Sequence, residues 1–214
     1  MSLPCTGRVV YDIGANVGVM TLFFARAVGA DGCVVAFEPH PYSFKRLSRN
    51  VRVNRLRHVM LVNKGLGDEP KVLTLFQPSR HLSGATLNGE RASVLNEGDL
   101  IQYEVHIDTL DNLVATLSLP FPHFIKIDVE GFEEQVLQGA RQTIVSASPE
   151  LFVEIHRLVD GTPTTQAVLS LLTDFGYRFY HVETQQALSP DTSLAITGGH
   201  IYAYREPTAL QAPR

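Results

Sequence analysis

The sequence is sparing in several things, and each scarcity excludes something. Two cysteines occur in 214 residues, Cys5 and Cys33, with no Cys-x-x-Cys pair. Neither a zinc ribbon nor a thioredoxin-like redox motif is therefore encoded. A disulfide between the two is conceivable if the first two strands are neighbours, but the reduced thiols of a cytosolic protein are the default. No apolar run approaches the ~18 residues of a membrane-spanning helix. The N-terminus lacks a basic patch followed by an apolar stretch, so no signal peptide is visible, and a cytoplasmic location is expected. Met1-Ser2-Leu3 reads as a possible expression leader. Positive charge is also short: the formal net charge is −4. The nearest thing to a basic stripe is Lys45, Arg46, Arg49, Arg52, Arg55 and Arg57. These spread along one predicted helix as a solvated face, so no nucleic-acid partner is expected. A P-loop, a Ser-His-Asp signature, a nucleophilic cysteine and convincing histidine spacing for a metal are all missing, so no metal site is expected.

What is present suits a buried core. Hydrophobic residues make up 44% and charged residues 19%, and the length fits a single domain over 1–206 with a loose tail over 207–214. Arg8 to Ile13, Cys33 to Phe37 and His58 to Val62 read as apolar strands. Val17 to Val28 and Pro41 to about Asn54 read as the helices between them, the second opened by a proline that the first turn tolerates. Such alternation predicts parallel strands with right-handed crossovers. Val72 to Phe76 and Tyr103 to Ile107 could be strands. The polar segment from Gln77 to Gln102 between them is either a functional lid or the mobile tip of a surface hairpin. Regularity returns with a strand at Phe124 to Val129 and a helix from Glu133 to Val145, loosened near Gly139. After a strand at Leu151 to Ile155 comes a helix from Thr164 to Phe175, stopped by Gly176. Tyr177 to His181 and His200 to Tyr204 are the last two strands.

Four places carry chemistry. The first strand delivers Asp12 at its C-terminal end, and Gly14-Ala15-Asn16-Val17-Gly18 follows. Glycine permits the backbone to turn and approach a ligand, and the next helix begins with free N–H groups at the same crevice. The spacing is not Gly-x-Gly-x-x-Gly, so the usual pyrophosphate fingerprint is lacking. The second strand ends in Glu38-Pro39. An acid about twenty residues past the glycine turn can accept hydrogen bonds from both hydroxyls of a ribose. Together these sites imply a nucleoside-containing cofactor, and Glu38 alone leaves nicotinamide dinucleotide open. In the third place, Ile125-Lys126-Ile127-Asp128-Val129-Glu130, strand alternation puts Lys126, Asp128 and Glu130 on one side. Paired carboxylates beside an ammonium are candidates for proton abstraction or metal binding, or form a structural ion pair. The fourth is Glu154-Ile155-His156, where His156 could act as a general base.

These residues resemble the FkbM family of methyltransferases. The matching pieces are VYDIGANVGVMTLFFA, VVAFEPHPYSFKRLSRNV, VHIDTLDNL, FIKIDVEGFEEQVLQGA and LFVEIH, in that order over about Val9 to His156. The resemblance implies an α/β, Rossmann-like class I methyltransferase fold. That is a seven-stranded, mostly parallel sheet with helices on both faces and a reversed last hairpin strand. It implies S-adenosylmethionine as methyl donor and a hydroxyl acceptor on a small molecule or glycan. By position, Asp12, Gly14, Ala15, Asn16 and Gly18 would surround the methionine part and nearby ribose. Glu38 and Pro39 would hold the ribose, Gly65 and Asp68 would lie near the adenine, and Asp128 and Glu130 would face the reacting centre. The segment from Lys64 to Asp68 departs from the alanine-rich sequence expected in relatives.

An unactivated hydroxyl is a weak nucleophile, so a positioned base should help. Asp128, Glu130 or His156 would take its proton, with Lys126 tuning the carboxylates. A divalent cation on Asp128 and Glu130 is the alternative, and is not expected. The rival readings are a nicotinamide-dependent oxidoreductase and a non-catalytic module on the same shell.

Overall fold

Unbroken apolar runs become strands covered on both faces. The structure is a computed structural model that describes residues 6–78, 87, 100–156, 165–189 and 198–206. β1 (Val9–Ile13), α1 (Val19–Val28), β2 (Cys33–Phe37), α2 (Pro41–Val53) and β3 (Val59–Val62) follow one another, and β1–β2 and β2–β3 pair in parallel. Four of the five residues in both β1 and β2 are buried, as parallel strands between helical layers require. Next come β4 (Gly65–Leu66), β5 (Lys71–Pro78), β6 (Leu100–Asp108) and α3 (Leu110–Thr116). The chain returns to the main sheet with β7 (Phe124–Ile127) and passes through α4 (Glu133–Gly139) and α5 (Arg141–Ala147) to β8 (Glu150–Ile155). It finishes with α6 (Thr165–Asp174), β9 (Arg178–His181), β10 (Gln186–Ala187) and β11 (Gly199–Tyr204).

The main sheet has the order β10-β9-β11-β8-β7-β1-β2-β3. β7 pairs in parallel with β1 and β8, whereas β11 runs antiparallel to both β8 and β9. The seven expected strands, with the reversed one among them, are thus present, and the two-residue β10 adds an eighth at the edge. The consequence for function is local. After β3 the chain crosses to the other side of β1, so the C-terminal ends of β1, β2 and β7 lie side by side, where open α/β sheets bind ligands.

One face of the sheet packs on α3 to α6. Tyr11, Ile13, Ile125, Ile127 and Val153 there meet Leu110, Val136, Ile144 and Leu169 in one large cluster. On the other face Val10, Val34 and Phe124 meet Phe24, Ala25 and Val28 of α1. β5 and β6 form an antiparallel hairpin from Lys71↔Ile107 to Pro78↔Leu100, and β4 joins it to make a second, three-stranded sheet. β4, α3 and β10 go beyond the elements expected from the sequence. The loosened helix at Gly139 is two helices, and a Cβ there would stand 1.9 Å from the carbonyl oxygen of Gly67. The chain breaks its helix where that turn presses on it. Cys33 is half-buried. Cys5, Met1 to Leu3, most of the segment from Gln77 to Gln102, residues 157–164 and the 207–214 tail lie outside the described residues. No helix among the described residues is long and apolar enough to cross a membrane.

Candidate active site

The ends of β1, β2 and β7 open into a cleft of about 830 Å³, its solvent-facing mouth included. Gly14 and Asn16 line it from the first strand's turn, Glu38 and Pro39 from the second's, and Asp128 and Glu130 from the end of β7. Gly65 lines it from β4. These seven residues, picked out separately along the sequence, share one cavity. Sequence reasoning missed its apolar walls: Phe37, Leu66, Leu75, Leu87, Val129 and Phe132. It also missed His40 and Ser43. The signal was available, because His40 precedes Pro41 at a helix start.

Glu38 is buried, and its two carboxylate oxygens are already held. Oε2 accepts from the Asn16 N–H at 2.7 Å and Oε1 from the His40 N–H at 2.8 Å. Each oxygen keeps lone-pair capacity towards the cleft. Burial pushes its pKa up to about 7, despite the lowering effect of those two N–H groups. Asn16 adopts a left-handed φ of 50°. Its side-chain oxygen accepts from the Ser43 hydroxyl at 3.1 Å, and Nδ1 of His40, the N-cap of α2, accepts from the Ser43 N–H at 3.1 Å. The first turn, the second turn and the start of α2 are thereby tied into one rim around Glu38.

Asp12, expected against the methionine part of a cofactor, does not line the cleft. It is fully enclosed, accepting from the Thr21 hydroxyl at 2.5 Å and lying 3.5 Å from Nζ of Lys126. β1 pairs Asp12 with Lys126 on β7, so both side chains leave the sheet on the same face, beneath α1. Burial raises the Asp12 pKa, with Lys126 and Thr21 acting in the opposite sense. Gly14 has a φ of 76°, and a Cβ there would stand 1.8 Å from the carbonyl oxygen of Asp128. The glycine thus serves the close approach of two chain segments. Ala15 and Gly18 also stay off the cleft wall; Gly18 packs on Leu47 of α2. Asp68 turns outward to Lys71 at 2.8 Å.

The acidic end of the cleft is a network. Strand alternation stops at Ile127: Glu130 has a φ of 54° and Gly131 one of 97°, so the chain folds over instead of running on. Lys126 Nζ lies 3.1 Å from Oδ2 of Asp128 and donates to the carbonyl of Gly14 at 3.2 Å. His156 projects from the end of β8 beside these acids. Its Nε2 is 3.5 Å from Glu130, 3.6 Å from Glu154 and 3.9 Å from Asp128, while Nδ1 meets Glu133 at 2.7 Å. Burial works against charge on this imidazole, but Glu133, Glu130 and Glu154 outweigh it and hold its pKa above the ordinary histidine value. Glu154 also reaches His200 at 3.6 Å.

The family model described as "Methyltransferase FkbM domain" matches residues 12–179. The hexuronic acid methyltransferase AglP of Haloferax volcanii is 31% identical over 160 residues, covering 74% of this chain and 60% of that protein. The 31-O-demethyl-FK506 methyltransferase FkbM of Streptomyces tacrolimicus is 29% identical over 197 residues, covering 80% of this chain and 73% of that one. Among solved structures, methyltransferase FkbM from Methylobacillus flagellatus superposes with a TM-score of 0.58 at 20% identity, covering 92% of this chain and 43% of that chain. The chain thus spans about three fifths of the Haloferax protein and less than half of the Methylobacillus one. The fold is that of class I methyltransferases.

Proposed function

Because the chain belongs to the FkbM methyltransferase family, we propose that it is an S-adenosylmethionine-dependent methyltransferase acting on a hydroxyl oxygen of a sugar or natural product. One observation carries the reading: a single cleft has a buried, doubly anchored carboxylate, Glu38, at one part and Asp128 and Glu130 at another, with His156 beside these two acids though off the cleft wall.

The residues present fit the cofactor. Glu38 has acceptor capacity left for two ribose hydroxyls, and Gly14 and Asn16 present backbone to the same space. Phe37, Leu66 and Phe132, which line the same cavity as Gly65, offer apolar walls to an adenine ring. When bound, S-adenosylmethionine supplies an electrophilic methyl group on a sulfonium. The protein's share is to exclude water and to align and deprotonate the acceptor. Leu75, Leu87, Val129 and Phe132 add apolar surface to the cleft wall and help to exclude water. Asp128, Glu130 or His156 takes the hydroxyl proton, and Lys126 holds Asp128 in place. Asp12 acts through Lys126 as a positioning residue. The Haloferax relative's name supports a sugar-acid acceptor, and the Streptomyces relative's name supports transfer to an oxygen of a natural product.

The test is transfer of labelled methyl from S-adenosylmethionine to a panel of sugars and hydroxylated natural products. Asp128→Asn is expected to bind S-adenosylhomocysteine like the wild type while turnover falls by roughly 10²–10⁴, the usual contribution of a positioned base. Full turnover in that variant removes Asp128 from the mechanism, and cofactor binding without transfer to any acceptor favours a binding module.

A further inference from the structure

The acidic end of the cleft is built for more than a proton. Asp128, Glu130 and His156 each offer one ligand atom, and these three atoms lie within 4.8 Å of one another. Two carboxylates alone would be only an acidic patch; the imidazole makes the difference. Its Nδ1 is 2.7 Å from Oε1 of Glu133, an acid with no exposed surface. The other oxygen of Glu133 is buried without a hydrogen-bond partner among the described residues. In the neutral ring Nδ1–H donates to this enclosed carboxylate, which leaves the Nε2 lone pair on the side of Asp128 and Glu130. The contact fixes the ring and turns Nε2 towards Glu130 at 3.5 Å and Asp128 at 3.9 Å. A carboxylate behind the remote nitrogen is the arrangement that orients metal-bound histidines and sets their tautomer. Glu154, 3.6 Å from the same Nε2, makes four acids around one ring. Lys126, on the β7 side, is shared among Asp12, Asp128 and the Gly14 carbonyl.

We propose that Asp128, Glu130 and His156 form a site for a hard divalent cation, Mg²⁺ or Mn²⁺, with Glu133 as the positioning residue behind His156. Two carboxylate oxygens and one imidazole nitrogen suit these ions better than a thiolate-seeking metal. Asp128 and Glu130 both line the cleft, so the remaining coordination positions open towards the acceptor. An acceptor hydroxyl bound there is acidified at neutral pH. This departs from the metal-free expectation of the sequence. It rests on the reading that acceptors bind at this end of the cleft.

The experiment strips the 214-residue chain with a chelator, removes the chelator, and titrates with Mn²⁺ while the free-ion electron paramagnetic resonance signal is followed. One Mn²⁺ per chain is expected. Asp128→Asn and His156→Gln should each weaken uptake at least tenfold, and Glu133→Gln by about 10–100-fold, the range for residues that orient a ligand. Calorimetry with S-adenosylhomocysteine on the same samples separates site loss from unfolding. Should the buried Glu133 variant fail to fold, Asp128→Asn carries the test, its side chain being 31% exposed. No uptake by the wild type, or uptake unchanged in both Asp128→Asn and His156→Gln, overturns the proposal. A wild type that binds S-adenosylhomocysteine but no Mn²⁺ overturns the metal site and leaves the methyltransferase reading standing. Mn²⁺ uptake lost in the variants, without cofactor binding by the wild type, supports the site and sinks that reading.

Discussion

Glu38 and Gly14 carry the clearest consequences of single side chains. The pKa of Glu38 is raised to about 7, above the 4.5 of an ordinary glutamate. The folded state therefore prefers its protonated form. That contribution to stability is fully present below the unfolded pKa and is lost as pH rises through the folded one. In thermal melts of the ligand-free chain between about pH 5.5 and 8, Glu38→Gln should lose less stability than the wild type. In the proposed ribose-binding role of Glu38, ligand binding has the opposite sign, because the ionised carboxylate is the better acceptor for two hydroxyls. Affinity for S-adenosylhomocysteine should rise as pH passes through about 7, and calorimetry on Glu38→Gln should give weaker binding with a flattened pH profile. Gly14 answers a different demand. A Cβ on it would stand 1.8 Å from the Asp128 carbonyl oxygen, whereas a Cβ at Gly176, also at positive φ, meets nothing within 4 Å. Gly14→Ala should cost about 4 kcal/mol or more in urea unfolding, the range of substitutions that force a rearrangement. Gly176→Ala should cost about 1–2 kcal/mol, the price of left-handed backbone alone.

Among the elements, the short helices of the second half stand on one another's side chains. α5 has no side-chain cap of its own. Asp111 of α3 supplies one instead, accepting from the N–H groups of Gln142 and Thr143 at 2.8 Å and from the Thr143 hydroxyl at 2.7 Å. Asp111→Ala should destabilise the protein by about 1–2 kcal/mol, the upper part of the range for lost caps, read as a lower melting temperature with cofactor affinity preserved. The β5–β6 hairpin shows how an element gains a role from its position. Leu75, Val105 and Ile107 form its own small core, and Leu75 also lines the cleft. The sequence marks the inner parts of both strands, Val72 to Phe76 and Tyr103 to Ile107, and the structure extends them to Lys71–Pro78 and Leu100–Asp108. That they close one side of a cavity was not legible there, because nothing local to residues 71–78 encodes the distance to β7.

At the scale of the whole molecule, the sheet order assembles the cleft from segments more than a hundred residues apart, as when β1 pairs with β7. Ligand in that cleft should therefore brace the entire domain. At a concentration one hundredfold above its dissociation constant, S-adenosylhomocysteine should add about 2.7 kcal/mol to stability and raise the melting temperature by several degrees, whereas NAD should leave it unchanged. A shift with NAD alone would favour the oxidoreductase.

The sequence by itself determined most of the elements and marked the residues expected to carry chemistry. The apolar runs, Pro41 and the break near Gly139 mark where strands and helices start and stop, because burial period, missing N–H groups and backbone freedom act over a few residues. Glu38, Asp128 and His156 could be singled out because strand ends in an α/β alternation are where polar side chains meet a crevice. Tertiary structure alone decided which of these residues meet. It sent Asp12 beneath α1 to Lys126, carried Glu133 under His156, and spent Gly14 on the Asp128 carbonyl. Those outcomes depend on which strand lies beside which, and that is fixed by packing across the sheet, not by any local stretch of chain.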